Sequence, residues 1–448
     1  MAINLKKTQF PYKVNKFPFF YGWVILAAGT IGVLMSIPGQ TMGVSVFTDY
    51  LIDSLQIERT WLSFAYLIGT VISGFMITRA GKYYDKYGAR VMAMLSGFML
   101  GIMAIGLSKI DVITNAVVSV LGENTHSFVA ISFLIFGFWG LRFFGQGILT
   151  MVSRNMVMKW FEQYRGLANA LMGVFVSFGF SYTPRLLNDL IDYGGWRSAW
   201  GTIGLFVGIV FVIFAFIVFR DNAADSGVKP DGNLPKRKNI ASQKQSPDKE
   251  KIVTLKQALK KYSFWIFNLA LAINALYVTA FTFHVVSIFI EAGYTRENAI
   301  AVFLPASFVA VVFNFAGGWL SDYIKLKYLL MVNMLGIVMA GVSLIFLESI
   351  TSAYYLLIIG SGIMSGLFSV INTVTWPRFF GTKHLGAISG YAMSWTVIAS
   401  ALGPYIFSLS LSFSGSYNHG IIILILIAFV LMILGIKANN VEMENEVK

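Results

Sequence analysis

Apolar stretches of about 20 residues recur along this chain, separated by shorter polar connections. One of them, residues 421–435, contains no charged side chain at all. Such a stretch spans a bilayer as a helix. Lipid offers the backbone no hydrogen-bond partners, and a helix pairs its own backbone N–H and C=O groups. The sequence therefore predicts an all-α membrane protein. Its twelve predicted spans lie near residues 19–48, 60–78, 90–108, 128–150, 166–187, 198–219, 263–283, 298–319, 329–347, 353–374, 386–410 and 419–437.

The composition agrees with a surface that faces lipid. Residues of the set AVILMFWYC make up 56% of the chain and charged residues 12%, against roughly 45–50% and about 25% in soluble proteins. Cysteine is absent, which excludes disulfides and thiolate sites. The four histidines show no metal-ligand spacing, and no HExxH, GxSxG, Walker or CxxC pattern occurs. We therefore expect no metal, no cofactor, no ATP-binding module and no enzyme activity.

Basic residues lie almost entirely on one side of the predicted spans. With the N-terminus in the cytoplasm, 28 of the 34 Lys and Arg residues fall in cytoplasmic segments. The exceptions are Arg142 and Arg185 within spans and, outside, Arg59, Lys109, Arg197 and Arg296. This asymmetry follows the positive-inside rule, so we expect both termini to face the cytoplasm of an inner (cytoplasmic) membrane. Anionic lipid then accounts for the net charge of +13, and we expect no nucleic-acid partner.

A hydrophilic segment divides the spans into two groups of six. Residues 220–262 are rich in Lys, Pro, Gly and Ser, which is typical of a mobile, solvated connection. The predicted organisation is a cytoplasmic segment 1–18, a six-helix bundle 19–219, a cytoplasmic linker 220–262, a second six-helix bundle 263–437 and a cytoplasmic tail 438–448.

The two groups share sequence landmarks in the same order. Residues 81–90 read GKYYDKYGAR after the second span, and residues 318–327 read GWLSDYIKLK after the eighth. A Gly-x-Gly in the fourth span precedes Trp160, and one in the tenth span precedes Trp376. Matching landmarks in both groups indicate a duplicated unit.

The first pair of landmarks predicts a cytoplasmic latch. Each places a glycine four residues before an aspartate at a helix end, where the carboxylate can pair with arginine or accept backbone N–H bonds. A solvated tight turn is the simpler alternative. The predicted gating residues are Gly81, Asp85, Arg90, Gly318 and Asp322.

At these residues the chain resembles the major facilitator superfamily. Residues 81–90 are similar to its signature loop between helices 2 and 3, and Arg142-Phe-Phe-Gly145-Gln-Gly147 is similar to its helix-4 motif. The resemblance covers essentially the whole chain. It implies the major facilitator fold: two pseudo-symmetric six-helix bundles that rock around a central substrate site, usually in a monomer.

Two further segments resemble one branch of that superfamily. Tyr21-Gly22-Trp23 and the segment from Trp160 to Ala168 are similar to the monocarboxylate transporters and oxalate:formate antiporters. The charged residue of helix 1 and the Asp/Arg pair of helix 8 of the monocarboxylate transporters are missing. So are the helix-8 arginine and helix-11 lysine of the oxalate type, and helix 5 lacks the glycine-rich motif of drug exporters. A dicarboxylate substrate and drug antiport are both disfavoured.

Arg142 is the outstanding candidate for substrate contact. A charge at the bilayer centre costs roughly 2.5–3.5 kcal/mol on insertion scales, so its presence needs a reason. With α-helical spacing, Trp139, Arg142 and Gln146 share one face. A cation beside an aromatic wall and an amide can bind a carboxylate. The alternative is that Arg142 bonds backbone carbonyls and stabilises the bundle.

Uncharged polar residues complete the predicted cavity. Lipid cannot satisfy amides, so those within spans need protein or substrate partners. The predicted additional substrate-binding residues are Gln40, Tyr66, Asn274, Tyr277, Asn314, Asn372 and Trp395.

Proton coupling has two candidates. It usually requires an intramembrane carboxylate or histidine, and no Asp or Glu lies deep within a predicted span. Asp49 at the end of the first span and His284 in the seventh remain, although a lone histidine is often only a structural hydrogen-bonding group.

The sequence thus predicts a secondary active or facilitative transporter of a small organic anion, a monocarboxylate, working by alternating access. The alternative is an exporter of a neutral or amphiphilic compound, drug- or sugar-like, which the 39 Phe, 20 Tyr and 10 Trp residues would suit. A membrane receptor without transport activity is a further alternative. The expected partners are the small-molecule substrate and the lipid bilayer.

Overall fold

In the computed structural model, which describes residues 11–232, 234 and 252–438, the regular secondary structure is helical. The middle of the predicted linker, residues 233 and 235–251, and nearly all of the predicted tail lie outside the described residues. The helices before the linker are α1 (Gly22–Leu34), α2 (Thr41–Ser45), α3 (Thr48–Leu55), α4 (Arg59–Ser108), α5 (Ile110–Leu121), α6 (His126–Gly140), α7 (Thr150–Trp160), α8 (Arg165–Leu205) and α9 (Val212–Val218). Those after it are α10 (Leu255–Ala258), α11 (Tyr262–Glu291), α12 (Arg296–Ala301), α13 (Phe303–Ser321), α14 (Leu326–Ile345), α15 (Thr351–Phe380), α16 (Leu385–Ser414) and α17 (Asn418–Gly435).

Two π-helices join helices that the sequence predicts as single α-helical spans. Leu141–Leu149 connects α6 to α7, and Phe206–Phe211 connects α8 to α9. A π-helix bonds each N–H five residues back, so its turns are wider than those of an α-helix. The side chains of these segments therefore point in directions that α-helical spacing does not give.

Nine stretches within the described residues are long and apolar enough to cross a membrane. Shorter apolar helices occur at Gly22–Leu34, Ile110–Leu121 and Arg165–Phe180. The stretch Phe64–Ser108, 45 residues long, contains two predicted spans. Eleven of the twelve predicted spans consist mainly of these helices, whereas the first, 19–48, contains Gly22–Leu34 and is irregular after it.

The turn between the two spans of α4 depends on Gly88. Its φ of 84° lies in the left-handed region, which a residue with a Cβ rarely adopts. A Cβ there would also lie 2.1 Å from an oxygen of Asp221. The same carboxylate accepts a hydrogen bond from the backbone N–H of Arg90 at 3.1 Å. The loop of the predicted latch is therefore fixed by Gly88 and by Asp221.

The chain divides into two compact units. The first comprises Met1–Trp160, Phe178–Asn233 and Ser389–Ser394. The second comprises Phe161–Ser177, Leu234–Ile388 and Trp395–Lys448.

Each unit buries one tryptophan of the internal repeat at an equivalent place. In the first unit Trp160, at the end of α7, packs against Tyr21 just before α1, with 5.7 Å between ring centroids. In the second unit Trp376, near the end of α15, packs against Phe264 near the start of α11, at 5.3 Å. Both tryptophans are fully buried. The repeated tryptophans thus hold the corresponding helices of each unit together.

The first span is broken where the second half of the fourth span reaches it. Pro38 lacks an N–H, and α1 gives way to a short 3₁₀ turn, Ile37–Gly39, followed by extended backbone at Gln40. Gly39 packs directly on Gly145 of the π-helix. A Cβ on Gly145 would lie 2.8 Å from the Gly39 Cα, so the two backbones come this close only with glycine at both positions.

Substitution of Gly145 by Ala tests this close approach. We expect Gly145→Ala to destabilise the purified protein by about 1–3 kcal/mol, because the added methyl group meets backbone that cannot move aside. The apparent melting temperature in detergent should fall by several degrees. Gly201→Ala in α8 is the matched control, since nothing lies within 4 Å of a Cβ there. An equal melting temperature for Gly145→Ala and the control would contradict the contact.

Candidate functional site

Arg142 lies in the π-helix and reaches the break in the first span. Its Nη1 donates to the carbonyl oxygen of Gly39 at 3.2 Å and to Oγ1 of Thr41 at 3.3 Å. Its side chain is buried, with a relative exposure of 2%. The carbonyl of Gly39 thus lies at the break, outside a regular helix, and Arg142 supplies its hydrogen-bond donor.

The ring of Tyr66 lies beside the guanidinium of Arg142. The centre of the Arg142 guanidinium lies 5.3 Å from the Tyr66 ring centroid, within cation–π range. The Tyr66 hydroxyl lies 3.0 Å from Oγ1 of Thr41, which links the tyrosine to the same break. These groups disperse the positive charge, but none of them neutralises it.

The cation keeps an unused donor. Nε of Arg142 is buried and has no hydrogen-bond partner among the described residues. No carboxylate whose side chain the structure describes forms an ion pair with Arg142. A buried cation without a counter-charge is costly, and an anion that reached it would gain a charge-assisted hydrogen bond. The geometry leaves one buried N–H donor of a cation without a partner among the described residues.

A polar triad lies beside this cation. Gln40 donates from Nε2 to Oγ of Ser36 at 2.9 Å and to Oγ1 of Thr150 at 3.3 Å. Thr150 Oγ1 also lies 3.1 Å from Ser36 Oγ. Gln146, one turn from Arg142 in the π-helix, has a buried Oε1 without a partner among the described residues. Donors and acceptors without charge are therefore available near the arginine.

Trp139 contributes an aromatic surface rather than a polar contact. Its indole stacks on Phe143, with 5.9 Å between centroids and 11° between planes. Its N–H points to the sulfur of Met76 at 3.2 Å. The sequence predicts one α-helical face for Trp139, Arg142 and Gln146, whereas the last two lie in a π-helix, so that spacing does not apply here.

The structure brings three of the predicted residues of the first unit, Arg142, Tyr66 and Gln40, into one cluster at the break in the first span. Arg142 and Tyr66 are in direct contact, and Gln40 belongs to the same break in the first span. Thr41 and Thr150 complete the cluster, although the sequence does not single them out. The only sequence signal for Thr41 is its position three residues after Pro38, just beyond the break.

The predicted residues of the second unit do not form one group. Asn274 donates to Oδ1 of Asn333 at 3.3 Å and to the carbonyl of Met364 at 3.1 Å, so it ties α11 to α14 and α15. Tyr277 is fully buried and stacks on Phe281, and its hydroxyl has no partner among the described residues. These contacts are those of helix packing.

Asn314 lies against the start of α8. Its Nδ2 donates to the carbonyl of Gly366 at 3.3 Å, while its buried Oδ1 has no partner among the described residues. A Cβ on Gly173 would lie 2.3 Å from that Oδ1. Asn372 is half-buried, and Trp395 keeps 38% of its surface exposed with its ring edge-on to Trp265.

The predicted latch residues differ in their surroundings. In the first unit Arg90 is buried, and its Nε donates to the carbonyl of Phe219 at 2.9 Å. Gly81 is buried, and a Cβ on Gly390 would lie 3.3 Å from its Cα. Asp85 is half-buried.

In the second unit Asp322 is buried at the N-terminus of α8. Its Oδ1 accepts from the backbone N–H of Gly166 at 3.0 Å, and its Oδ2 accepts from that of Leu167 at 3.3 Å. Arg378 forms an ion pair with the same carboxylate at 3.2 Å. Gly318 lies in the same contact, since a Cβ on it would come within 2.7 Å of the Gly166 carbonyl. The carboxylate thus meets both the helix dipole and an arginine.

The two proton-coupling candidates are placed differently. His284 lies in α11 and is half-buried, with both ring nitrogens within hydrogen-bond distance of a partner. Asp49 lies in α3, and its side chain is outside the part of the chain that the structure describes.

The amino-acid sequence is similar to a known protein family and to several known proteins. A sequence model described as Major Facilitator Superfamily matches residues 127–404. The oxalate:formate antiporter of Oxalobacter formigenes is 20% identical over 196 residues, which cover 44% of this chain and 42% of that protein. MFS-type transporter 1 of Ophiocordyceps sp. (strain BCC 1869) is 24% identical over 217 residues, 46% of this chain and 42% of that protein. The chain spans less than half the length of the curated relatives it matches.

Two solved structures share the fold over nearly the whole chain. The proton:xylose symporter XylE bound to 6-bromo-6-deoxy-D-glucose superposes with a TM-score of 0.63 at 14% identity, covering 92% of this chain and 94% of that one. The E. coli fucose:proton symporter FucP gives 0.61 at 13% identity, covering 94% and 100%. These matches confirm the predicted fold class, an all-α membrane protein with twelve transmembrane helices in two six-helix bundles.

Two ion pairs between an aspartate and an arginine in the described part of the chain, Asp322–Arg378 and Asp111–Arg197, predict different costs of removing the charge. We expect Asp322→Asn to destabilise the protein by about 3–5 kcal/mol, because it leaves a largely buried Arg378 without its partner. Asp111→Asn is the control, since Asp111 pairs with Arg197, whose side chain is 50% exposed; there we expect about 0–1 kcal/mol. Thermal unfolding of both variants in detergent measures the difference, and similar melting temperatures would argue against a buried anchor at Asp322.

Proposed function

This chain belongs to the major facilitator superfamily, and we propose that it transports a small organic anion, a monocarboxylate, by alternating access. As a member of that superfamily it is a multi-pass membrane transporter of small molecules and not an enzyme. The proposal concerns the substrate class, the site and the orientation.

The observation that carries the substrate class is the uncompensated Arg142. Its buried Nε has no partner among the described residues, and the groups around it, Thr41 and Tyr66, are neutral. One fixed cation matches one carboxylate, and a guanidinium binds a carboxylate through paired N–H bonds. Gln146, with its free Oε1, would accept from a hydroxyl of the substrate.

The sequence relative supports the same chemistry. Part of the chain is similar to the oxalate:formate antiporter, whose name describes exchange of two carboxylates. The absence of an arginine from helix 8 and of a lysine from helix 11 leaves fewer cations than a dicarboxylate would require. We therefore place this chain with transporters of monocarboxylates.

A neutral or amphiphilic compound is the second candidate. The stacked Trp139 and Phe143 offer an aromatic surface next to the arginine. In that case Arg142 serves only to bond Gly39 and Thr41 and to stabilise the break in the first span. The two candidates differ in what happens when the charge of Arg142 is removed.

The positions of the charges suggest the orientation and the gating. From the distribution of basic residues we infer that both termini face the cytoplasm of an inner (cytoplasmic) membrane. We assign the bundles to residues 19–219 and 263–437, with residues 220–262 as the linker. The loops that carry Asp85 and Asp322 would then be cytoplasmic latches that release during the transport cycle.

The first prediction on transport concerns Arg142. We expect Arg142→Gln to lower carboxylate uptake into proteoliposomes by about 10- to 100-fold, because a hydrogen bond to a charged group contributes about 1.5–3 kcal/mol and ~1.4 kcal/mol corresponds to tenfold. Arg142→Lys should retain part of the uptake, because it keeps the charge. The labelled panel is lactate, pyruvate, acetate, oxalate, a sugar and a cationic dye, each with and without an inward proton gradient.

Arg197→Gln is the matched control for this experiment, because it removes a cation that is half exposed. Its uptake should equal that of the wild type. Carboxylate uptake that survives Arg142→Gln would reject the proposed role of the arginine. Saturable uptake of the sugar or dye in place of the carboxylates would favour the second candidate.

The latch hypothesis makes a separate prediction. Asp85→Asn and Asp322→Asn should each change the rate of carboxylate transport per inserted molecule, because each alters the relative stability of two states of the cycle. Rates are compared after correction for the amount of correctly inserted protein. Unchanged rates in both variants would rule out the latches.

A further inference from the structure

His284 has a definite tautomer, fixed by its partners. Its Nε2 lies 3.0 Å from the carbonyl oxygen of Pro404 in α16. A carbonyl only accepts hydrogen bonds, so Nε2 carries the hydrogen. In the neutral ring the lone pair is then on Nδ1, which lies 3.3 Å from the hydroxyl of Tyr417. His284 therefore offers one proton-accepting site, and that site faces Tyr417.

The Tyr417 hydroxyl has two alternative partners. It lies 3.3 Å from Nδ1 of His284 and 3.0 Å from Oγ of Ser287, one turn further along α11. With neutral His284, the hydroxyl can donate to Nδ1. With protonated His284, Nδ1 donates to the Tyr417 oxygen, and the hydroxyl donates to Ser287 instead. Rotation of one O–H bond thus satisfies both protonation states without leaving a buried polar group unpaired.

A small cavity connects this group to acidic side chains. Tyr417 and Ser416 line it together with Glu291, at the end of α11, and Glu348, after α14. Its volume is about 60 Å³, larger than the ~15 Å³ that one water molecule needs. The cavity is thus large enough for water and is lined by two carboxylates and by Tyr417.

We propose that His284, Tyr417 and Ser287 form the proton relay of this transporter, supplied through the cavity between Glu291 and Glu348. A hydronium ion in the cavity gives a proton to the Tyr417 oxygen and becomes water, while the tyrosine gives its own proton to Nδ1 of His284. The products are an imidazolium and an intact tyrosine, so the proton count balances. The proposal rests on the proposed function, which leaves the coupling ion open, and on the inferred orientation, which places this cavity outside.

The surroundings of His284 fit a group that carries a positive charge for part of the cycle. From α16 it meets the carbonyl of Pro404 and the ring of Phe407, at 6.2 Å between centroids, and neither titrates. From the start of α17 it meets Tyr417. Glu291, at the end of the same helix as His284, and Glu348, after α14, line the cavity that Tyr417 also lines. The two charged side chains that line the cavity are carboxylates, whose charge is opposite to that of an imidazolium.

The test compares two histidines at this end of the second unit. Wild type, His284→Gln and His419→Gln are reconstituted, His419 being exposed in the first turn of α17 and absent from the relay. Two assays are run: uptake of a monocarboxylate driven by a proton gradient, and exchange of the same compound without a gradient. We expect His284→Gln to lose gradient-driven accumulation and keep exchange, and His419→Gln to match the wild type. Accumulation by His284→Gln at the wild-type level would overturn the relay.

A readout without substrate separates the relay from the substrate class. The chain has four histidines, so ¹⁵N labelling of the imidazoles gives few signals, and His284→Gln identifies the one from His284. We expect this ring to carry its hydrogen on Nε2, which faces the Pro404 carbonyl, and to have none on Nδ1. Tyr417→Phe removes the hydroxyl partner of Nδ1, so it should shift the Nδ1 signal and leave the signals of the other histidines unchanged. A hydrogen on Nδ1 in place of Nε2, or an Nδ1 signal that ignores Tyr417→Phe, would overturn the relay even if carboxylate transport is confirmed. Failure of the wild type to transport any carboxylate would instead reject the substrate class.

Discussion

The hydrogen bond from Arg142 to the carbonyl of Gly39 joins the two irregular segments of the first unit. Within a bilayer every backbone polar group needs a partner in the protein, so a broken helix is stable only where another group satisfies it. The break at Pro38 requires such a group, and the close approach of Gly39 and Gly145 brings the π-helix near enough to supply it. A buried cation is thereby placed inside the first unit, and its Nε has no partner among the described residues.

The second unit has the same helical plan but a different chemistry. Its repeated tryptophan, Trp376, is fully buried like Trp160 of the first unit, whereas no counterpart of Arg142 occurs in the tenth span. Its amides are used to pack α11 against α14 and α15. In this unit, the Tyr417 hydroxyl lies within hydrogen-bond distance of both His284 and Ser287. We thus infer that the first unit recognises the charge of the substrate and that the second unit transfers the proton.

Much of this fold follows from the sequence, and the parts that do not have physical reasons. Length and hydropathy are enough for the twelve spans, because the bilayer fixes how long an apolar helix must be. The repeat around Asp85 and Asp322 likewise predicts where the turns lie. The π-helix from Leu141 to Leu149 has no sequence signal, since α- and π-turns accept the same side chains. The partners of His284 were also unpredictable, because Tyr417 and Pro404 are distant in sequence and meet only through packing.

The central claim is that the buried guanidinium of Arg142 recognises a single carboxylate. Equilibrium binding to the purified wild-type protein tests it most directly, with the best-transported monocarboxylate and its amide, a neutral molecule of nearly the same shape. The account predicts that the carboxylate binds at least about tenfold more tightly, a difference of ~1.4 kcal/mol, and that added salt weakens its binding more than that of the amide. Equal affinities for the two compounds, or tighter binding of the amide, would contradict it.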